Sequence, residues 1–110
     1  MSDEQFDKMR VELRRGALTL AVLTALREER YGYTLRQLLE GAGLPIDEGA
    51  LYPLLRRLEA QGLLTSEWRE EGRSKRFYRL SAEGEQLLGQ LLGEWNAISN
   101  SIVRLSGRSE

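Results

Sequence analysis

The sequence predicts a mainly α-helical fold with a small β hairpin: a winged helix-turn-helix followed by a long C-terminal dimerisation helix. Three observations lead to this prediction. Apolar residues recur at helical spacing through most of the chain, and two short strand-like runs flank a polar turn at Gly72. The helix before those strands carries arginines on its polar face, as a DNA-reading helix does.

At 110 residues the chain has room for one compact unit. Within it we expect residues 1–80 to form the winged helix-turn-helix and residues 81–110 to form the C-terminal helix. The predicted elements of the first part are helices at about 2–29, 34–40 and 48–61 and a wing at about 65–80.

The first predicted helix contains a dense apolar run from residue 17 to residue 26. Because that run is apolar on nearly every side, we expect it to be buried on more than one face. Gly16 interrupts this helix at a cost of about 1 kcal/mol relative to alanine, which indicates a bend or a close helix contact.

The second predicted helix follows a Tyr-Gly-Tyr turn at residues 31–33 and has a leucine stripe. Gly41, Gly43 and Pro45 end it. Two short helices separated by a glycine-containing turn, the second with exposed arginines, are what a helix-turn-helix requires.

The third predicted helix has an apolar face of four leucines and a polar face. Asp47 is its predicted N-cap, and Gly62 is the predicted left-handed residue after its end. Pro53 lies inside this helix, where it removes one backbone hydrogen bond.

Together with the wing, this helix is expected to contact a DNA duplex. The predicted DNA contacts are Tyr33, Thr34, Tyr52, Arg56, Arg57, Arg73, Lys75 and Arg76.

These contacts divide into three groups, each with a structural alternative. Arginines of the third helix suit the paired acceptors of guanine, although they could equally form a solvated face. The cations at the wing tip are expected at phosphates, with Glu70 and Glu71 weakening the local positive potential. Tyr33 and Thr34 either bind a phosphate or only shape a turn, and Tyr52 either contacts DNA or packs.

The last predicted helix begins at Ser81, its N-cap, and runs to about residue 105. Its apolar seam has alternating spacings of three and four residues, a coiled-coil pattern that requires a partner helix. We therefore predict that it packs against its symmetry mate and the first helix. The predicted dimerisation residues are Leu88, Leu91, Trp95, Ile98, Ile102 and Leu105.

Trp95 has two possible roles in that seam. It fills the dimer core, or it meets its twin near the dyad so that two indoles enclose a flat aromatic effector. The candidate effector-binding residues are Trp95, Leu92, Ser99 and Val11. Trp68, in the first wing strand, is expected to pack at the base of the wing.

The charge balance is mixed evidence for a nucleic-acid partner. The formal net charge is −1, which does not favour a polyanionic ligand. Residues 52–80, however, contain seven cationic and four anionic side chains. The slightly negative total leaves a second hypothesis open: a winged-helix protein-interaction module that does not bind DNA.

The composition argues against an enzyme. The chain has no cysteine and no histidine, which excludes thiolate zinc sites, cysteine nucleophiles and the commonest general base. We expect no metal and no cofactor. No cationic-then-apolar leader and no membrane-spanning apolar run is evident, so we expect a cytoplasmic protein that does not contact membranes.

Three segments of the chain are distinctive: YGYTLRQLL, GALYPLLRRLEAQGLL and RFYRLSAEG. Through them, the chain from about Leu13 onward resembles the PadR family of bacterial transcription regulators. A single helix after the wing resembles the shorter members, which are dimers, some of them binding planar drugs between subunits. The resemblance implies that Pro53 is tolerated within its helix. It also implies a dimeric, sequence-specific DNA-binding regulator, which we expect to be a repressor.

Overall fold

The computed structural model describes residues 3–107. Residue 2, the predicted start of the first helix, and residues 1 and 110, the predicted outer limits of the two parts, lie outside the described range. Within that range the elements in order are α1 (Asp3–Ala25), β1 (Arg30–Tyr31), α2 (Gly32–Gly41), α3 (Glu48–Ala60), β2 (Leu64–Glu71), β3 (Arg73–Leu80) and α4 (Ala82–Leu105). This is the predicted class: mainly helical, with a small sheet and a long last helix.

The first helix is shorter than predicted, because α1 ends at Ala25 and not near residue 29. The reason is the short strand β1, whose residues Arg30 and Tyr31 pair with β3 and must therefore be extended. The side chain of Arg30 donates a hydrogen bond to the Ala25 carbonyl at 3.1 Å, which satisfies one acceptor at the end of the helix.

The sheet has three strands where the sequence predicted a two-stranded hairpin. Its order is β1-β3-β2, and both pairings are antiparallel. β2 and β3 pair along their whole length, from Leu64 opposite Leu80 to Glu71 opposite Arg73. Gly72 connects them with a φ of 79°, a left-handed conformation that favours glycine.

The caps of α3 and α4 are confirmed. The Asp47 carboxylate accepts a hydrogen bond from the Ala50 amide at 2.8 Å, and the Ser81 hydroxyl accepts one from the Gly84 amide at 3.0 Å. Gly62 has a φ of 82°, as expected of the residue that ends α3. The helix continues through Pro53, so it tolerates the lost backbone bond.

One core joins the helices to the sheet. The second half of α1, the leucine stripes of α2 and α3, the base of the wing and the first half of α4 contribute to it. The buried residues are Val22, Leu23, Leu26, Leu35, Leu39, Leu51, Leu54, Leu55, Leu58, Leu64, Tyr78, Leu80 and Leu88. The first half of α1 and the second half of α4 project beyond this core and are exposed. None of the helices within residues 3–107 has the length and apolar character needed to cross a membrane.

Candidate nucleic-acid interface

A hydrogen-bonded network holds the wing against the end of α3. The Glu59 carboxylate accepts hydrogen bonds from the Ser66 hydroxyl at 2.6 Å and from Arg76 at 3.2 Å. Arg76 Nε also donates to the Ser66 hydroxyl at 2.9 Å. Arg76, a predicted phosphate contact, is therefore engaged within the protein. These hydrogen bonds fix the position of the wing relative to α3.

The wing, the start of α2 and α3 enclose a hollow of about 330 Å³, which we call the wing hollow. Five of the eight predicted DNA contacts line it: Tyr33, Tyr52, Arg73, Lys75 and Arg76. The other lining residues are Tyr31, Gly32, Trp68 and Ser74, so no acidic side chain of the described part of the chain lines the wing hollow. Aromatic rings combined with cations are typical of surfaces that bind single-stranded nucleic acids, and on a duplex the cations would neutralise phosphates.

Tyr52 enters the wing hollow because Gly32 has no side chain. A Cβ on Gly32 would lie 2.7 Å from Tyr52 Cζ and closer still to its hydroxyl oxygen. Such distances do not occur between non-bonded atoms, so the ring and the glycine backbone are in direct contact. The Tyr52 ring thus packs against Gly32, as one of the two predictions had it. The residue is nevertheless partly exposed and lines the wing hollow.

The two wing-tip cations other than Arg76 differ in their surroundings. The ammonium of Lys75 lies 4.6 Å from the centroid of the Tyr31 ring, in a cation–π contact. Arg73 is exposed, and its side chain has no hydrogen-bond or ion-pair partner among the described residues. Arg73 can therefore reach a phosphate without giving up a contact inside the protein, whereas Lys75 would leave its contact with Tyr31.

Arg56 and Arg57 are exposed on α3 outside the wing hollow. Arg56 follows Tyr52 by four residues, so the two side chains lie on one stripe of the helix, and Arg56 extends the polar surface one turn beyond the hollow. Arg57 instead borders a separate hollow between α1 and α3, which Val11 also lines. The predicted α3 contacts are thus not a single cluster.

The residues that open α2 are occupied by local hydrogen bonds. The Thr34 hydroxyl donates to the Tyr31 carbonyl at 3.0 Å, which is the arrangement expected of a structural turn. The Tyr33 hydroxyl accepts a hydrogen bond from Gln37 at 3.1 Å but is otherwise exposed. Tyr33 keeps a free donor for a phosphate, whereas Thr34 does not.

Arg69 reduces the positive charge that the sequence assigned to this region. Its guanidinium donates hydrogen bonds to Glu29 and Glu67, both at 2.6 Å, and lies over the Phe77 ring. These hydrogen bonds, with Glu29 as the larger effect, raise the pKa of Arg69 above its ordinary value. The charge of Arg69 is therefore balanced by acids and does not add to the field around the wing hollow.

Trp68 is not packed at the base of the wing, and that expectation was wrong. The residue is 63% exposed and lines the wing hollow. It lies opposite Arg76 in the strand register, further from the core than Ser66, so its indole extends past the packed base of the sheet. Strand alternation identifies its face of the sheet, but only the tertiary fold shows what lies across from it.

The predicted dimer seam lies on α4, and its exposure increases along the helix. Leu88 is 1% exposed and belongs to the core of its own chain, whereas Leu105 is 86% exposed. Leu91 is partly buried, and the apolar residues after it are exposed: Trp95, Ile98 and Ile102. The surface that α4 can offer to a second chain thus begins near Trp95.

The predicted effector residues are only partly brought together. Trp95 and Leu92 line an apolar groove of about 430 Å³ formed with α1 and α2. Val11 lines a different hollow, and Ser99 is exposed on α4 and lines neither of the apolar hollows that Trp95 borders. Within one chain, then, the groove beside Trp95 lacks two of the four predicted residues.

Comparison with known proteins extends the likeness to most of the chain. Residues 20–90 match the model of the transcriptional regulator PadR-like family. The chain is 43% identical over 79 residues to the transcriptional regulator Rv3488 of Mycobacterium tuberculosis, covering 70% of this chain and 74% of that protein.

Two solved structures are informative in different ways. A PadR family transcriptional regulator from Eggerthella lenta is 41% identical with a TM-score of 0.91, and the match covers 97% of this chain and 96% of that one. Bacillus subtilis PadR, solved in complex with operator DNA, is 28% identical with a TM-score of 0.64. That match covers 69% of this chain and 45% of the B. subtilis chain, which is the longer protein.

Proposed function

Because the chain belongs to the PadR-like family of transcriptional regulators, we propose that it binds a specific DNA operator as a homodimer and represses transcription. The observation that supports DNA binding most is the wing hollow, which combines aromatic and cationic side chains directly beside α3. The operator complex of the B. subtilis relative supports the same type of ligand. We further propose that the protein acts in the cytoplasm and catalyses no reaction.

In this proposal α3 enters the major groove and the wing lies along the DNA backbone. Arg56 and Arg57 are exposed and are the candidates for base edges or nearby phosphates.

In the same proposal the wing and the start of α2 contact the DNA backbone. Arg73 and Lys75 would neutralise phosphates, and the Tyr33 hydroxyl would donate a hydrogen bond to a phosphate. Tyr52 and Arg76 shape the hollow and contact DNA from its wall, and Thr34 contributes through the turn that it stabilises.

We propose that residues up to 80 serve DNA binding and residues from 81 onward serve assembly. The exposed apolar residues on α4 support this division, since water contact with them is unfavourable until a second helix covers them. A two-fold dimer would present two copies of α3 to one duplex. The operator would then be pseudo-palindromic, with half-sites roughly 34 Å apart.

We also propose a planar aromatic effector in the apolar groove beside Trp95. The groove is large enough for a flat molecule, and Leu92, Leu20 and Leu38 supply apolar walls. Val11 and Ser99 take part only if the second chain brings them to this groove. Titrating planar aromatic compounds while following tryptophan fluorescence tests the idea, and unchanged emission would leave Trp95 with a packing role alone.

Selection of DNA by the purified protein tests the proposed function. Repeated binding to fragments of its source genome should enrich a pseudo-palindromic sequence, and gel-shift titrations should show affinity that falls with salt. The alternative, a protein-interaction module, would return no enriched DNA, while the exposed faces of α3 and the wing would bind a protein instead.

A further inference from the structure

Trp68 is a large aromatic side chain that is exposed on the wing. Its neighbours on the same face of β2 are Leu64, which is buried in the core, and Ser66, which hydrogen-bonds to Glu59 of α3. Trp68 is the next residue on that face, because side chains alternate along a strand. Its indole therefore extends beyond the contact between wing and α3, where it lines the wing hollow.

A cation lies next to the exposed indole. The guanidinium of Arg76 is 5.6 Å from the Trp68 ring centroid and is itself hydrogen-bonded to Ser66 and Glu59. Those hydrogen bonds restrain Arg76, and the cation–π contact in turn restrains the ring. Trp68 is thus exposed but oriented, as a preformed contact surface should be.

The charge and chemistry of the wing hollow favour one kind of occupant. Arg73 and Lys75 line it together with the phenols of Tyr33 and Tyr52. No acidic side chain among residues 3–107 is in its lining, so the hollow favours an anion, while the Trp68 indole offers a flat apolar surface beside Arg76. A strand of DNA backbone alternates such groups, since each anionic phosphate is followed by a deoxyribose with an apolar face.

We propose that the wing hollow receives the sugar–phosphate backbone of one DNA strand and that the Trp68 indole packs against a deoxyribose of that strand. This inference rests on the proposed function, because it assumes that α3 lies in the major groove and the wing beside it. The backbone strand that borders the groove then crosses the gap between α3 and the wing. The contact is independent of base sequence, so it contributes affinity and position but not specificity.

Fluorescence tests the contact directly, because the chain has only two tryptophans, Trp68 and Trp95. In Trp95→Phe, Trp68 is the sole tryptophan. Its emission should change on titration with a short duplex of mixed sequence at low salt, and should saturate at the DNA concentration that saturates a gel shift. The matched variant Trp68→Phe reports Trp95, which lines the groove formed by α1, α2 and α4 and not the wing hollow, and its emission should not change.

Affinity provides the second measurement. Trp68→Ala should weaken binding by roughly tenfold or more, because each protomer of the proposed dimer loses the apolar area that the indole buries against a deoxyribose. The loss should be equal for the selected operator and for the mixed-sequence duplex, and the slope of affinity against salt should not change, because the indole carries no charge. Thermal unfolding of Trp68→Ala should match the parent, since the side chain is mostly exposed.

Two results would overturn the inference and leave the proposed function intact. One is DNA binding by the parent protein with no change in Trp68 emission and no loss of affinity in Trp68→Ala. The other is a loss of affinity confined to the selected operator, which would assign Trp68 to base recognition. If the parent bound neither duplex, the proposed function itself would fail, and the inference with it.

Discussion

The guanidinium of Arg76 in β3 and the carboxylate of Glu59 near the end of α3 form an ion pair at 3.2 Å. Ser66 bridges the same two groups with hydrogen bonds to each. The wing and α3 are therefore connected by side chains as well as by the short loop between α3 and β2. Removing Arg76 should therefore lower the stability of the protein, whereas removing a cation that only faces solvent should not.

Replacing Arg76 and Arg73 separately should distinguish these two roles. Arg76→Ala should lower the free energy of unfolding by up to about 1 kcal/mol, because the pair is partly exposed and screened by water. Arg73→Ala should leave stability unchanged and reduce the slope of DNA affinity against salt by roughly two, because each protomer of the proposed dimer loses one phosphate contact. Urea unfolding and salt-dependent gel shifts measure the two effects. Equal stability of both variants would argue against a structural role for Arg76.

Gly32→Ala should destabilise the protein, because the new methyl group would overlap the Tyr52 ring. We expect a loss of about 1–3 kcal/mol in the free energy of unfolding. Gly41→Ala is the matched control, since Gly41 lies in the same helix with no atom within 4 Å of the added carbon.

A double variant checks the cause of that loss. Replacing Tyr52 by alanine in the Gly32→Ala background should recover part of the stability relative to the sum of the two single changes. If Gly32→Ala were as stable as Gly41→Ala, the close contact between Gly32 and Tyr52 would not exist in solution.

Stability should fall at alkaline pH partly because of Tyr78. Burial raises the pKa of its phenol above the ordinary value of 10.0, although the positive charge of Arg76 opposes the shift. The folded state therefore favours neutral Tyr78, so its contribution is complete below pH 10.0 and is lost as pH rises through the higher folded pKa. Tyr78→Phe should lose less stability between about pH 9 and about pH 11 than the parent. Parallel pH dependence in urea unfolding would contradict this prediction.

Ile98→Glu should dissociate the proposed dimer, since it places a charge among the exposed apolar residues of α4. Asn100→Glu is the matched control, because residue 100 is two positions further along and lies on nearly the opposite side of the helix. Sedimentation equilibrium should show a monomer for the first variant and a dimer for the second. A dimer in both would place the interface elsewhere.

Local patterns in the sequence were sufficient for the order of the helices and for the caps of α3 and α4, but not for the end of α1. Asp47 and Ser81 form hydrogen bonds to residues only three positions away, so their role depends on little beyond the adjacent chain. Strand β1 could not be predicted in the same way. It has two residues and exists because β3, more than forty positions later in the chain, pairs with it.

The candidate interface was only partly predictable for the same reason. Helical spacing was enough to predict that Arg56 is exposed on α3, and the polar turn at Gly72 was enough to predict that Arg73 is exposed at the wing tip. The environment of Arg76 depends on Glu59, seventeen positions earlier and in a different element. Trp68 was assigned to the base of the wing because a strand pattern gives the face of a sheet and not the distance from the core. Its exposure beside α2 is a property of the tertiary fold.

Recognition of DNA by α3 and the wing is tested most directly by the DNA affinities of the parent protein and of Arg56→Ala. Both are measured on the selected operator and on a mixed-sequence duplex, over a series of salt concentrations. The parent should prefer the operator, with affinity for both duplexes falling as salt rises. Arg56→Ala should reduce that preference, because it removes the α3 side chain assigned to base edges. Equal affinity of the parent for the two duplexes, or affinity that does not depend on salt, would contradict recognition of DNA by α3 and the wing.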